Sequence, residues 1–164
     1  MSEASKRKKL AVVTGTTSGI GLVLTRMLLE AQWEVLGVAR RGAPLSESGY
    51  HHLSLDLTDI EALQSQFAAA FEQGVGQNLA QVQYERVALV NNAALLGPVG
   101  PLEGLDAKEL MQVMAVNTVA PVWLAGYLKR QVGATPLRVV DVSSGAAHRP
   151  LSSWGPIVPL RRRC

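Results

Sequence analysis

Residues 14–21, with the sequence TGTTSGIG, have the residue types and the spacing that suit a phosphate group. The apolar run 10–13 before them predicts a buried strand, and residues 22–30 after them predict a helix. A turn between such a strand and helix faces the N-terminus of the helix. There, free backbone N–H groups and the positive end of the helix dipole attract an anion.

Each glycine of this turn has a separate task. Gly15 permits the tight turn out of the strand, while Gly19 and Gly21 keep side chains away from the backbone. A pyrophosphate can then approach the chain closely, and the helix can lie close to the sheet. The alternative interpretation is a glycine-rich turn that binds no ligand.

Two arginines indicate which dinucleotide would bind. Arg40 and Arg41 follow the predicted strand 33–39, where dinucleotide-binding folds usually carry an acidic residue for the ribose 2′-hydroxyl. A guanidinium can instead form paired hydrogen bonds with a 2′-phosphate. The sequence therefore predicts NADP rather than NAD, and the alternative is that both arginines only face solvent.

Strands and helices alternate along the chain, which predicts an α/β protein with a doubly wound parallel sheet, a Rossmann fold. Every predicted strand ends in a glycine or a polar residue, and ligands bind at the carboxyl ends of such strands. The predicted strands are 10–13, 33–39, 52–55, 87–90 and 137–142, and the predicted helices are 22–30, 60–72 and 107–131, with a kink at Pro121.

Composition limits the other functions. The chain has 164 residues, of which 48% are hydrophobic, so it can form one domain with a sizeable core. Its net charge of +3 comes from basic residues near both ends, which argues against a nucleic-acid groove. Cys164 is the single cysteine, and the adjacent His51 and His52 lack further ligands nearby, so we predict no metal site. No apolar run approaches a membrane span, and we expect a cytoplasmic protein without a membrane partner.

Five motifs together resemble the N-terminal part of the short-chain dehydrogenase/reductase family. Within that family, the run GAAHRP followed by Trp154 is most similar to the benzil-reductase and sepiapterin-reductase branch. The family motif NNAG stands here as NNAA, a change that is tolerated if Ala94 does not need a positive φ. The motifs are TGTTSGIG at 14–21, DLTD at 56–59, NNAA at 91–94, AVNTVAP at 115–121 and VVDVSSGAAHRP at 139–150.

The resemblance implies hydride transfer between NADPH and a small-molecule carbonyl or alcohol, in a protein that forms homo-oligomers when intact. It implies catalytic roles for two residues. Asn117 would bend the long helix and hold a water in a proton relay, and Ser144 would donate a hydrogen bond to the substrate carbonyl. The implied cofactor-binding residues are Gly15, Thr17, Ser18, Gly19, Ile20 and Gly21 at the pyrophosphate, Asp56 and Leu57 at the adenine, and Asn92 and Ala93 at the adenosine ribose, beside Arg40 and Arg41.

The chain departs from the family where the proton donor should stand. By family spacing from Ser144, a tyrosine and a lysine belong at positions 157 and 161, which hold Ile157 and Arg161. Codons for residues 157–164 can be chosen that spell the tyrosine and the lysine when read one base earlier, which suggests a frameshift. We therefore expect a basic tail over 1–9, a dinucleotide-binding domain over 10–155 truncated after its fifth strand, and an aberrant tail over 156–164. The alternative function is a non-catalytic NADP-binding or interaction module.

Overall fold

The computed structural model describes residues 8–74 and 84–145, which form a five-stranded parallel sheet flanked by helices. The strands are β1 Lys9–Thr14, β2 Glu34–Ala39, β3 Tyr50–Ser54, β4 Arg86–Asn91 and β5 Leu137–Asp141. The helices are α1 Gly19–Glu30, α2 Ile60–Gln73, α3 Ala107–Met114 and α4 Ala120–Val132, with a 3₁₀ turn at Leu102–Gly104 and a π turn at Ala115–Val119. Every predicted element is present, but β3 begins earlier than predicted and includes His51.

The strand order is β3-β2-β1-β4-β5, and all four strand pairs are parallel. The chain builds outward from β1 through β2 to β3, and then crosses back to place β4 on the other side of β1. The predicted doubly wound Rossmann sheet is thus confirmed. The reversal places a crevice at the carboxyl ends of β1 and β4, where such sheets bind ligands.

Alternate residues of β1 enter two different hydrophobic layers. Leu10 and Val12 pack on one face, which the buried side chains Leu63, Phe67 and Phe71 of α2 cover. Ala11 and Val13, on the opposite face, belong to the layer that α1 covers. Because both faces are covered, the interior of β1, residues 10–13, is a continuous apolar run rather than an alternation with polar residues. Asp59 caps α2 by accepting a hydrogen bond of 2.9 Å from the Ala62 N–H.

The long helix predicted over 107–131 is present as α3, the π turn and α4. Pro121 has no N–H to donate to the carbonyl of residue 117, four residues earlier, so the regular helical pattern is interrupted just before it. The helical run Ala107–Val132 is also long and apolar enough to cross a membrane, with a mean hydropathy of 1.2. This corrects the prediction that no apolar run approaches that length. Leu124 and Leu128 of this run are fully buried in the hydrophobic layer that also contains Leu10 and Val12.

Strand β5 forms one edge of the sheet among the residues that the structure describes. Val139 and Val140 are 42% and 43% exposed there. The predicted tails 1–9 and 156–164 fall outside the described residues apart from Lys8 and Lys9, as do Ile157, Arg161 and Cys164.

Candidate functional site

A cleft of about 600 Å³ opens at the carboxyl ends of the strands. Most of the predicted cofactor-binding residues line it, although they come from four separate segments of the chain. They are Gly15, Thr17, Ser18, Arg40, Arg41, Asp56, Leu57, Asn92 and Ala93. Sequence reasoning missed seven further lining residues, which are mostly apolar: Val38, Ala39, Leu55, Thr58, Ala94, Leu95 and Val116.

The glycine turn packs so closely on the end of β4 that side chains are excluded. A Cβ atom on Gly15, whose φ is +75°, would lie 2.8 Å from the Asn92 side-chain nitrogen. A Cβ atom on Gly21 would collide with the carbonyl oxygen of Gly15. Gly19 also has a positive φ, of +56°. Gly19, Ile20 and Gly21 are the first residues of α1 and, unlike Gly15, are not among the residues that line the cleft.

Thr14 and Asn92 hold the ends of β1 and β4 together. The Thr14 hydroxyl oxygen accepts hydrogen bonds of 3.0 Å from the backbone N–H groups of both Asn92 and Ala93. The Asn92 amide donates to the carbonyl oxygens of Thr14, at 3.0 Å, and Gly15, at 3.3 Å. The Asn92 side chain thus fixes the start of the glycine turn to the end of β4. Ala94, next in the chain, does not have a positive φ, so the NNAA sequence is accommodated without strain.

The N-terminus of α1 has no cap from its own side chains. Ser18 occupies the N-cap position, but its side chain makes no capping hydrogen bond, and the first turn carries no acidic residue. Its backbone N–H groups face the glycine turn, so the donor set suits an anion such as a pyrophosphate. Gly19 also leaves room for such a group, since a Cβ atom there would meet no atom within 4 Å.

Arg41 adds positive charge above the same turn. Its guanidinium donates a hydrogen bond of 2.9 Å to the Ser18 hydroxyl and one of 3.2 Å to the Thr17 hydroxyl. Arg40, its neighbour in the chain, also lines the cleft, and both arginines are exposed. The Asp56 carboxylate accepts hydrogen bonds of 2.9 Å from the backbone N–H and the hydroxyl of Thr58. Asp56 is therefore held in the segment that leads into α2.

Asn117 lies in the π turn, where the resemblance implies a bend. Its side-chain oxygen accepts a hydrogen bond of 2.9 Å from the Leu95 N–H, and its side-chain nitrogen donates one of 2.8 Å to the Leu95 carbonyl. The amide is therefore used to fix the loop after β4. Each end of the Asn117 side chain therefore has one protein partner.

Ser144 lies three residues beyond the end of β5 and is partly buried. It is not among the residues that line the cleft, and neither is Asn117. Asn117 nevertheless adjoins the cleft, because its two hydrogen bonds are to Leu95, which lines it. The remainder of the Ser144 motif, from residue 146, lies outside the described residues.

The histidines of β3 have protein partners rather than metal-ligand geometry. The His51 ring lies 3.0 Å from a carboxylate oxygen of Glu34, and the His52 ring contacts Tyr50 and Arg41. Over residues 8–74 and 84–145, no group of three or more histidine, cysteine, aspartate or glutamate residues could hold a metal ion.

Comparisons with known proteins agree with this geometry. The family model described as short chain dehydrogenase matches residues 9–156. Benzil reductase ((S)-benzoin forming) from Bacillus cereus is 26% identical over 156 residues, which cover 90% of this chain and 61% of that protein. The NADPH-dependent 3-dehydrocapnine reductase from Ornithobacterium rhinotracheale is 31% identical over 156 residues, which cover 87% of this chain and 52% of that protein.

A solved structure of a short-chain dehydrogenase/reductase from Burkholderia vietnamiensis superimposes with a TM-score of 0.80 and 33% identity. The match covers 94% of this chain and 72% of that one. The chain spans about three fifths of the length of the benzil reductases that it matches. The family model, the shared sheet and the placement of the glycine turn lead to one conclusion: the chain belongs to the short-chain dehydrogenase family.

Proposed function

We propose that this chain binds NADP(H) and serves an oxidoreductase that transfers a hydride between NADPH and a small-molecule carbonyl or alcohol. The observation that carries the proposal is the shared cleft, in which Arg40 and Arg41 stand beside the glycine turn and the open N-terminus of α1. The proposal includes a cytoplasmic location, a homo-oligomer as in intact members of the family, and no nucleic-acid or membrane partner.

The residues of the cleft divide the cofactor between them. The turn from Gly15 to Ser18 and the first N–H groups of α1 would hold the pyrophosphate. Arg40 and Arg41 would bind the 2′-phosphate, where two guanidinium groups provide charge-assisted hydrogen bonds. Asp56 and Leu57 would flank the adenine, and Asn92 and Ala93 would adjoin the ribose. The 3-dehydrocapnine reductase relative, which is NADPH-dependent by name, supports this choice of cofactor.

The chemistry requires a hydride and a proton. When bound, the nicotinamide supplies the hydride. The Ser144 hydroxyl would donate a hydrogen bond to the substrate oxygen and stabilise the negative charge that develops there. A serine hydroxyl is too weak an acid to supply the proton itself, so a further donor is needed.

A second candidate function is cofactor binding without turnover. The observation that favours it is in the sequence, where Ile157 and Arg161 stand at the places of the expected tyrosine and lysine. Isoleucine cannot donate a proton, and an arginine there has no phenol whose pKa it could lower. Under this reading, the chain keeps the nucleotide-binding half and lacks the acid.

The test of the cofactor is the dissociation constant of NADPH and of NADH, measured by titration calorimetry on the whole chain. We expect Arg40→Asp to weaken NADPH binding by about 10-fold to 100-fold, because a charge-assisted hydrogen bond contributes about 1.5–3 kcal/mol. NADH binding should change little. Arg26→Asp is the matched control, since Arg26 is exposed on α1 but does not line the cleft. Equal losses for both cofactors would contradict the choice of NADP.

Turnover separates the two candidate functions. The oxidation of NADPH is followed by the absorbance of the reduced nicotinamide, in the presence of each member of a panel of ketones and diketones. Consumption that depends on the substrate supports the oxidoreductase, and it should fall in Ser144→Ala. Tight NADPH binding with no consumption for any substrate supports the binding module.

A further inference from the structure

Three side chains connect β3 to the glycine turn and to the end of β2. The Tyr50 hydroxyl lies 3.1 Å from the Thr16 hydroxyl and 2.8 Å from Nδ1 of His52. On the other side of the same ring, Nε2 of His52 lies 2.8 Å from the main-chain carbonyl oxygen of Arg41. A continuous chain of hydrogen bonds therefore runs from a residue of the turn to the backbone of a cleft arginine.

For a neutral His52 ring, the partners fix the direction of every hydrogen bond in this chain. A carbonyl oxygen only accepts, so Nε2 of His52 carries a hydrogen. Nδ1 of the neutral ring is then an acceptor, and Tyr50 donates its hydroxyl hydrogen to it. The Thr16 hydroxyl in turn donates to the Tyr50 oxygen. Removing the Tyr50 hydroxyl would release the ring to adopt its other tautomer, in which a lone pair would face the Arg41 carbonyl.

The fold leaves a specific space for the Tyr50 hydroxyl. Gly37 pairs with His52 across β2 and β3, and a Cβ atom on Gly37 would collide with that hydroxyl. The same Cβ atom would lie 2.8 Å from the Thr16 hydroxyl oxygen. Thr16 is completely buried, so its hydroxyl needs a protein partner, which Tyr50 provides. Burial raises the pKa of Tyr50, which keeps its phenol protonated and able to donate.

Arg41 needs such support because it lies beyond the end of β2. It is exposed, and Gly42 follows it, so the regular hydrogen bonding of the strand no longer holds its backbone. Its guanidinium nevertheless reaches over the glycine turn to Ser18. The hydrogen bond from His52 fixes the backbone of Arg41, from which its side chain extends. Fewer conformations of the arginine must then be lost on binding, which lowers the entropic cost.

We propose that Tyr50 and His52 are positioning residues that hold Arg41 over the glycine turn, and that they thereby set the preference for a dinucleotide with a 2′-phosphate. This inference rests on the proposed function, in which Arg41 binds that phosphate. The two residues act through Arg41 and do not themselves touch the cofactor.

The test compares two substitutions of one residue. In His52→Gln the side-chain amide can take the place of Nε2 and still donate to the Arg41 carbonyl, whereas in His52→Asn it is too short to do so. Titration calorimetry with NADPH and NADH on the whole chain gives the ratio of the two dissociation constants. We expect His52→Asn to weaken NADPH binding about threefold to tenfold, the range for one hydrogen bond, with less than about a twofold change for NADH. His52→Gln should retain most of the wild-type preference.

Tyr50→Phe tests the other end of the chain while keeping the packing of the ring. We expect a loss of preference in the same direction and smaller than that of His52→Asn, because the ring of His52 can still adopt the original tautomer. Thermal unfolding of each variant shows whether the fold is retained. Equal losses for NADPH and NADH in Tyr50→Phe and His52→Asn would overturn the inference.

Arg41→Ala separates this inference from the function beneath it. If Arg41→Ala and Arg40→Asp both leave the NADPH preference unchanged, the proposed NADP function fails and the inference fails with it. If either lowers the preference but His52→Asn does not, only the inference fails. In the Arg41→Ala background, His52→Asn should have no further effect on the ratio. A further loss there would mean that His52 acts through another group, and would also overturn the inference.

Discussion

The N-termini of α1 and α2 face the same edge of the sheet, but they are finished in opposite ways. At α2, the Asp59 carboxylate accepts a hydrogen bond from the backbone of Ala62, and Glu61 adds a second acidic group in the first turn. At α1, the Ser18 side chain makes no capping bond, and the first turn contains no acid. The Ser18 hydroxyl instead accepts a hydrogen bond from Arg41.

This difference separates a structural helix end from one that is prepared for a ligand. A cap from the chain itself stabilises a helix by about 1 kcal/mol, and its absence leaves N–H groups that an external anion can satisfy. The α1 end also has arginines nearby, whereas the α2 end has carboxylates. The charges and the backbone donors therefore favour an anion at α1 and exclude one at α2.

The most severe change to the open end is Gly21→Ala. Its methyl group would meet the carbonyl oxygen of Gly15, so the helix and the glycine turn must move apart. We expect NADPH affinity to fall by about 30-fold, which corresponds to about 2 kcal/mol of overpacking. Gly104→Ala is the control, since no atom lies within 4 Å of a Cβ atom there. Calorimetric titration measures the affinity. An unchanged NADPH affinity in Gly21→Ala would show that the glycine turn is not part of the binding site.

Ser18→Asp would give the uncapped N-terminus of α1 a capping carboxylate like that of α2. The carboxylate can accept from the free N–H groups of α1 and pair with Arg41, so the unliganded protein should gain about 0.5–1 kcal/mol of unfolding free energy. The same carboxylate would repel the phosphates, and we expect NADPH affinity to fall by about tenfold. Urea denaturation and calorimetry give the two quantities. A gain in stability without a loss of affinity would contradict the comparison.

Asp59→Ala would remove the cap from the N-terminus of α2 without creating a binding site. Loss of the cap should lower the free energy of unfolding by about 1 kcal/mol, as for other N-cap aspartates. The dissociation constant of NADPH should stay the same, because Asp59 does not line the cleft. Asp59→Asn, which retains a side-chain oxygen, should restore most of the stability in urea denaturation. A large loss of NADPH affinity in Asp59→Ala would show that the two helix ends are coupled.

The smallest expected effect is on the free energy of unfolding, from a change at Glu34. This residue begins β2, at the end of the strand away from the cleft. The hydrogen bond from His51 and, after it, that from Tyr84 lower the pKa of Glu34 from its ordinary value of 4.5, against the opposing effect of burial. A lowered folded-state pKa contributes stability above the unfolded pKa, and this is lost as the pH falls through the folded-state value. We expect Glu34→Gln to cost about 0.5–1 kcal/mol at pH 7 in urea denaturation.

The difference between Glu34→Gln and the wild type should shrink as the pH is lowered below 4.5. NADPH affinity at pH 7 should be the same for both, since Glu34 lies away from the cleft. A stability difference that is independent of pH would mean that the carboxylate charge of Glu34 contributes nothing.

Much of the fold follows from the sequence because apolar runs and glycines act locally. The run 10–13 is apolar enough to specify a buried strand, and Pro121 marks the interruption of the long helix by removing one donor. The glycines at 15 and 21 are likewise readable, since only glycine fits a turn pressed against a neighbouring strand. Local chemistry of this kind needs no knowledge of which strands become neighbours.

The contacts that could not be predicted depend on strand order and register. Tyr50 meets Thr16 across 34 residues of chain because β3 pairs with β2 in one particular register. Ser18 is a residue type that often caps a helix, and nothing in the sequence shows that Arg41 occupies its hydroxyl. The contacts of Asn117 could not be predicted either, since its two hydrogen bonds to Leu95 depend on how the π turn packs on the loop after β4.

The central position of β1 also determines the order in which the protein can assemble during synthesis. β1 leaves the ribosome before the other four described strands, and β2 can pair with it once the crossover through α1, residues 15–33, has followed. Its other neighbour arrives much later, because the bond from the Asn92 N–H to Thr14 spans 78 residues. Closing such a long loop is slow compared with forming local structure. Until β4 emerges, the nascent chain therefore carries a glycine turn without its contacts to Asn92, and one side of β1 is unpaired.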